Sequence, residues 1–170
     1  MTDKSRDRFI FKQLKENLAF EWDRASKLDD KAVNIASSTG AILTLFIGLA
    51  PFTFQIIDIK NAPLTVIILF LLCLIFLVSA ISVSLLSIQP KSFKSVDIKK
   101  FIEVYSDDDI DFIIKDYGGN IKHFIIDNSV TINKKASSVE HALNLLMAGI
   151  ITMFFYILHI LILIYFPPTC

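Results

Sequence analysis

Cysteine is nearly absent: Cys73 lies inside an apolar run and Cys170 is the last residue, so no disulfide framework or metal site can be read from spacing. A surplus of positive charge is lacking too. The 17 Lys and Arg balance 17 Asp and Glu, and a nucleic-acid partner, whose footprint is a basic surplus, is not expected. No early apolar run opens the chain, because Met1 to Lys31 is charged throughout. A cleavable signal peptide is therefore not expected, and targeting falls to the first membrane helix as an uncleaved signal-anchor. Enzyme motifs are missing as well. The Gly118-Gly119 pair lacks the Lys-Ser/Thr of a phosphate loop, and His123, His141 and His159 have no spacing that would gather metal ligands. Neither an enzyme nor a cofactor is expected.

The most informative lack is of charge in three long stretches. No Asp, Glu, Lys or Arg occurs in Ala32 to Ile57, Asn61 to Pro90, or His141 to Cys170. About 20 predominantly apolar residues cover the ~30 Å hydrocarbon core of a bilayer. A soluble fold would need three core helices with almost no polar face in a small chain. The overall apolar share, 54%, is only mildly high for a soluble domain; its clustering carries the argument. The expected fold is an all-α integral membrane protein with three transmembrane helices, a hairpin plus a C-terminal helix, and long cytoplasmic helical extensions. The spans are expected at Ala36–Ile57, Leu64–Ile88 and Ala142–Phe166. Around them lie a cytoplasmic amphipathic helix over 1–35, an outer turn over 58–63, a cytoplasmic helical region over 89–141 and an outer tail over 167–170. Pro63 suits the start of the second span, and Pro90 and Pro167-Pro168 stop the second and third.

Orientation follows from the basic residues. Met1 to Ile35 holds eight Lys and Arg, the short turn holds Lys60, Lys91 to Glu140 holds eight more, and none follows the third span. That distribution predicts a cell-membrane protein with the N-terminus and the large loop inside and the C-terminus outside.

Both cytoplasmic segments read as helical. Phe11, Leu14, Leu18, Trp22, Ala25, Leu28, Ala32 and Ile35 recur at spacings of three and four, with no Gly or Pro between them. This is a coiled-coil-like or bundle helix running into the first span. Leu14, Leu18, Trp22 and Leu28 make its seam, which either joins copies of the chain or packs on the chain's own loop. In the loop, Ser106 with Asp107 to Asp109 is a helix start, the acids lying at the positive end of the dipole. Gly118-Gly119 is expected to break the chain. A stripe of Ile121, Ile125, Ile132, Val139 and Leu146 then leads into the third span, although the β-branched run Ser129-Val130-Thr131-Ile132 argues against helix there. This second stalk could pack on the first.

One face of the first span is unlike the others. Asn34, Ser37, Ala41, Thr44, Gly48, Pro51 and Gln55 alternate by three and four, and all are small or polar. Leu43, Phe46, Ile47, Leu49 and Phe54 occupy the opposite side. Extended backwards, the polar line meets Asp23, Lys27 and Asp30. A weaker seam of Cys73, Ala80, Ser84 and Ser87 marks the second span. Two readings stay open: close helix packing, with hydroxyls and amides bonding across an interface, or a water-filled path shared between copies. Three helices can hardly enclose a pore, so a path requires an oligomer. His159, ionisable and within a span, is expected to be structural, near the outer interface.

The run Glu21-Trp22-Asp23-Arg24-Ala25-Ser26-Lys27-Leu28-Asp29-Asp30-Lys31-Ala32, followed by Gly40, resembles a pattern in small prokaryotic membrane effectors. These are the Pycsar-effector-type transmembrane domains and the related SMODS- and SLOG-associated two-helix effector domains. In them an acidic residue and a Lys-Ala pair precede the first membrane helix; Arg24, Asp29, Lys31, Ala32 and Gly40 carry the likeness here. Lys134-Lys135 before His141-Ala142 fits the lysine that precedes the last helix. The likeness covers most of the chain in layout but about twelve residues in motif, and the chain has no recognisable nucleotide-sensing domain. It implies a homo-oligomer that perturbs the bilayer on a signal from a cytoplasmic partner or nucleotide, in antiviral defence. A non-conducting accessory or scaffold subunit is the alternative.

Overall fold

The computed structural model describes residues 3–57, 63–89 and 109–166, and all their side chains except those of 3, 4, 54, 56 and 57. These residues form three α-helices and no strand: α1 (Asp3–Ile57), α2 (Leu64–Ile88) and α3 (Ile110–Tyr165). All three are long and apolar enough to cross a membrane, by length and composition. The 25 residues of α2 rise about 37 Å at 1.5 Å each, against a hydrocarbon core of about 30 Å.

Local chemistry explains the lengths. The charged part of α1 carries ion pairs at helical spacing, Lys12–Glu16 at 3.9 Å and Lys27–Asp23 at 2.6 Å. Each such pair contributes a few tenths of a kcal/mol (~0.3–0.5) at a solvated surface. In its apolar part the threonine hydroxyls bond back to the preceding turn: Thr39 to Ile35 O at 2.6 Å, Thr44 to Gly40 O at 2.9 Å and Thr53 to Leu49 O at 3.2 Å. Those bonds satisfy the hydroxyls without leaving the helix. Pro51 lies within α1 and offers Ile47 O no N–H, yet the helix continues to Ile57. Pro63 stands one residue before α2 as its N-cap, where its carbonyl accepts from Val66 N at 2.9 Å. The start of α3 is closed by Ile113 N donating to Asp109 O at 3.0 Å; the expected start at Ser106 to Asp108 lies outside the described residues.

Two expectations for the loop are corrected. Gly118-Gly119 does not break the chain, because α3 runs through it without interruption. A methyl group added at Gly118 would stand 3.8 Å from Leu14 Cδ1 and 3.9 Å from Phe11 Cδ2, ordinary contact distances, so this glycine lies at the contact between two helices rather than ending one. The Ser129–Ile132 run is helical as well. Ser129 Oγ donates to Ile126 O at 2.8 Å and Thr131 Oγ1 to Asp127 O at 3.3 Å, so the hydroxyls that compete with a helix are taken up by its own carbonyls.

The chain divides into two compact units, Met1–Leu28 with Pro90–Ala136 and Asp29–Gln89 with Ser137–Cys170. In the first, the charged parts of α1 and α3 lie side by side and parallel: Arg8 meets Asp111 at 3.8 Å, Phe11 meets Tyr117 with ring centroids 5.9 Å apart, and Arg24 Nη2 donates to Asn133 Oδ1 at 3.0 Å. Residue numbers rise together along both strands of contact. The inward positions of α3 fall at Gly118, Ile121, Ile125, Asn128, Ile132 and Lys135, a strict alternation of three and four, which is the spacing of a coiled-coil seam. Lys135, although 2% exposed, is not left without a partner. Burial raises the Tyr117 phenol above its ordinary pKa.

In the second unit α2 runs antiparallel to the apolar part of α3. Thr65 Oγ1 lies 2.9 Å from His159 Nε2, and Cys73 Sγ lies 3.6 Å from Gly149 O. The core gathers Phe46 of α1, Cys73, Leu77 and Ala80 of α2, and Leu146 and Tyr156 of α3. Phe46 stacks on Phe70 at 5.0 Å and meets Tyr156 edge-on at 5.4 Å, arrangements favoured by the ring quadrupole.

Candidate functional site, an outward polar face on the first helix

Around a helix each residue turns about 100°, so Thr44 and Phe46 point about 200° apart. In α1 the inward positions of the second unit are Ala32, Ile35, Thr39, Ile42 and Phe46. The small and polar face lies opposite, and all seven of its members, from Asn34 through Ser37, Ala41, Thr44, Gly48 and Pro51 to Gln55, are exposed. Among the described residues, the side chains of Asn34 and Ser37 make no hydrogen bond. A methyl group placed on Gly48 would meet nothing within 4 Å. The polar face is therefore not consumed by packing within the second unit.

The seam of α2 behaves differently. Cys73, Ala80, Ser84 and Ser87 are all buried, and Ser87 Oγ donates to Val83 O at 2.9 Å. Small residues there admit a close neighbour, and the neighbour is α3. A methyl group on Gly149 would stand 2.8 Å from Leu77 Cδ2 and 3.2 Å from Leu77 Cγ. Reading the sequence alone missed Gly149, whose partner lies 72 positions away. His159 is accounted for by its bond to Thr65.

The seam residues of the amphipathic stalk divide. Leu14, Leu18 and Leu28 are half-buried within the first unit, but Trp22 is 44% exposed. Strict three-four alternation from Leu18 to Ala25 falls on position 21, and Glu21 holds it, with Arg24 Nη1 3.8 Å from its Oε2. Of the motif-like residues, Arg24 is engaged with Glu21 and Asn133, Asp29 is half-buried, Lys31 is exposed, Ala32 is fully buried and Gly40 faces open space.

Large apolar side chains are also exposed on the first unit, among them Phe9 at 57%, Phe20 at 63% and Phe112 at 56%. On α3, Phe112, Gly119, Ile126 and Val130 recur on the side away from the seam, and all four are exposed. Among the described residues no three His, Cys, Asp or Glu side chains come together as a metal-binding group. Compared with known protein families, curated proteins and solved structures, the chain matches none.

Proposed function

We propose that this chain is a homo-oligomeric, channel-like membrane protein whose first helices meet around a shared polar path. The observation that carries this reading is the exposure of the whole polar face of α1. Polar groups held in hydrocarbon without partners cost several kcal/mol, so a face bearing Ser37 and Gln55 within the span, and continued by Asn34 before it, needs protein or water against it. The exposure of Phe9, Phe20 and Phe112 on the charged unit adds support, because large apolar side chains left uncovered within one chain favour association with another. Permeabilisation would follow a cytoplasmic signal, from a protein or a nucleotide, and antiviral defence is the setting that the effector-like run from Glu21 to Ala32 implies.

A specific observation favours the competing reading, a scaffold that does not conduct. The Thr44 hydroxyl is satisfied by Gly40 O within its own helix, so it needs no water. Thr44→Cys against Leu45→Cys separates the two, since the positions stand about 100° apart. With both proteins in planar bilayers, a small charged thiosulfonate is expected to reduce the Thr44→Cys conductance at least tenfold and to leave Leu45→Cys unaltered. Equal protection of both cysteines, with no conductance, leaves the scaffold.

The basic-residue distribution places both charged segments in the cytoplasm on this reading. In a Cys73→Ser background, Cys170 should therefore react with a membrane-impermeant maleimide on spheroplasts before lysis. Reaction only after lysis reverses the orientation.

A further inference from the structure

Between the charged parts of α1 and α3, within the first unit, lies a cleft of about 220 Å3. Ile10, Phe11 and Leu14 of α1 and Ile114 of α3 make its apolar side. Lys115 and Lys122 stand on its rim, both exposed. Seven positions make nearly two whole turns, so the two lysines share one line along α3, about 10 Å apart. Gly118 and Gly119 lie between them along the axis, one on each side of that line, and both line the cleft. Between the lysines α3 therefore presents bare backbone. Packing does not explain these glycines. Each costs helix stability relative to alanine, and α3 carries both in its interior. A methyl group on Gly118 would meet α1 only at ordinary contact distance, and one on Gly119 would meet nothing within 4 Å. Alanine would fit at either place, and it would take up room in the cleft. The charge is unmatched as well. Arg8, Lys12, Arg24 and Lys27 all have acidic partners, whereas among the described residues Lys115 and Lys122 make no ion pair or hydrogen bond. Asp7, the acid among the lining residues, has Arg6 3.8 Å away.

We infer that the cleft binds a small amphipathic anion, a single carboxylate on an apolar body about the size of one ring. The carboxylate lies over the bare glycine backbone and accepts N–H bonds from Lys115 and Lys122, while the body rests on Ile10, Phe11 and Leu14. Charge selects the anion. A cation would meet two like charges, and a neutral molecule would leave both ammonium groups, each with three donors, without an acceptor. Backbone stripped of side chains is what lets a ligand approach a helix closely. Volume sets the size. A cavity of about 150 Å3 holds benzene, so 220 Å3 admits a ring with its charged substituent. The inference concerns the first unit alone, and it depends neither on the bilayer nor on a path shared between copies.

The test uses the full chain in phosphatidylcholine nanodiscs, with empty discs as the blank. The probes are 4-(trifluoromethyl)benzoate and its uncharged match, 4-(trifluoromethyl)benzyl alcohol, each titrated and read by fluorine NMR line broadening. One exposed ion pair is worth a factor of roughly two to five. The benzoate is therefore expected to bind about four- to twenty-five-fold more tightly than the alcohol. Lys115→Gln and Lys122→Gln should each weaken it by about two- to fivefold, and together bring it to the level of the alcohol. Lys15→Gln, which removes an exposed lysine outside the cleft, should change nothing. Gly119→Leu fills the cleft from a position with open surroundings. It should abolish binding of both probes while the melting temperature holds or rises. Equal affinity for the two probes overturns the inference. So does benzoate binding that survives the double Lys→Gln change, or that falls as far with Lys15→Gln. A double variant that also breaks an assembly of the chain into smaller species by mass photometry overturns it too, giving the cleft to an acidic side chain of a second copy.

Discussion

Gly149→Leu is expected to leave the chain unable to fold its apolar unit. The methyl group of even an alanine there would stand 2.8 Å from Leu77 Cδ2 and 3.2 Å from Leu77 Cγ, and Leu77 is fully buried. The clash therefore cannot be relieved by swinging the leucine into open space. Overpacking of a tight core typically costs about 1–3 kcal/mol, and leucine adds three more carbons at the same place. In this unit α2 and α3 approach through small residues, with Ala80 and Ala142 both fully buried and Cys73 Sγ against the Gly149 carbonyl. In a bilayer, where no hydrophobic force acts between helices, such contact would be what associates them. Thermal scans in mild detergent should show Gly149→Ala melting earlier and Gly149→Leu with no cooperative transition. Leu77→Ala alone should also destabilise, by about 2–5 kcal/mol through the cavity it leaves. Combined with Gly149→Ala it should cost less than the two single changes added together, because the new methyl group enters the space vacated. Strict additivity would mean that the two positions do not touch.

The contrast between Gly149 and Gly118-Gly119 shows where reading the sequence runs out. A glycine pair is a good sign of a break when nothing else is known. Here Phe11 and Leu14 pack within ordinary contact distance of the place where a side chain on Gly118 would begin, and that contact spans more than a hundred positions. Helix propensity was overridden by packing. The same holds for Glu21. An apolar count selects Trp22 as the seam residue, but strict alternation selects its neighbour, and the geometry of the helix prevails over the apolarity of the side chain. That three helices would be long and apolar enough to cross a membrane was legible for a simpler reason. Charge cannot be held cheaply in hydrocarbon, so three charge-free stretches of sufficient length stand out in any reading. The bounds of α2, fixed by Pro63 and the residues before Pro90, were equally plain. The polar face of α1 could be found by spacing, but the direction it faces could not. Spacing gives the members of a face, and only the positions of Phe46 and its partners Phe70 and Tyr156 give the side that turns inward.

That direction leads to the sharpest expectation for assembly, Gly48→Leu. A side chain at Gly48 begins in open space, with nothing within 4 Å, whereas one at Gly149 begins 2.8 Å from Leu77 Cδ2. Exchanging glycine for leucine at an exposed helical position removes a penalty of up to about 1 kcal/mol, so the isolated Gly48→Leu chain should melt no lower than the parent. If the α1 faces meet in an oligomer, the same leucine enters the closest approach between them. A cost of about 1–3 kcal/mol at each crowded interface amounts to a rise in the dissociation constant of about fivefold to more than a hundredfold. Mass photometry in detergent and in nanodiscs should accordingly find the parent as an assembly and Gly48→Leu as smaller species, with thermal stability of the individual chain retained. Loss of size together with loss of fold would point to an intrachain role that the open surroundings of Gly48 do not support. An assembly of unchanged mass would remove the polar face of α1 from the interface, and a shared path along that face would go with it.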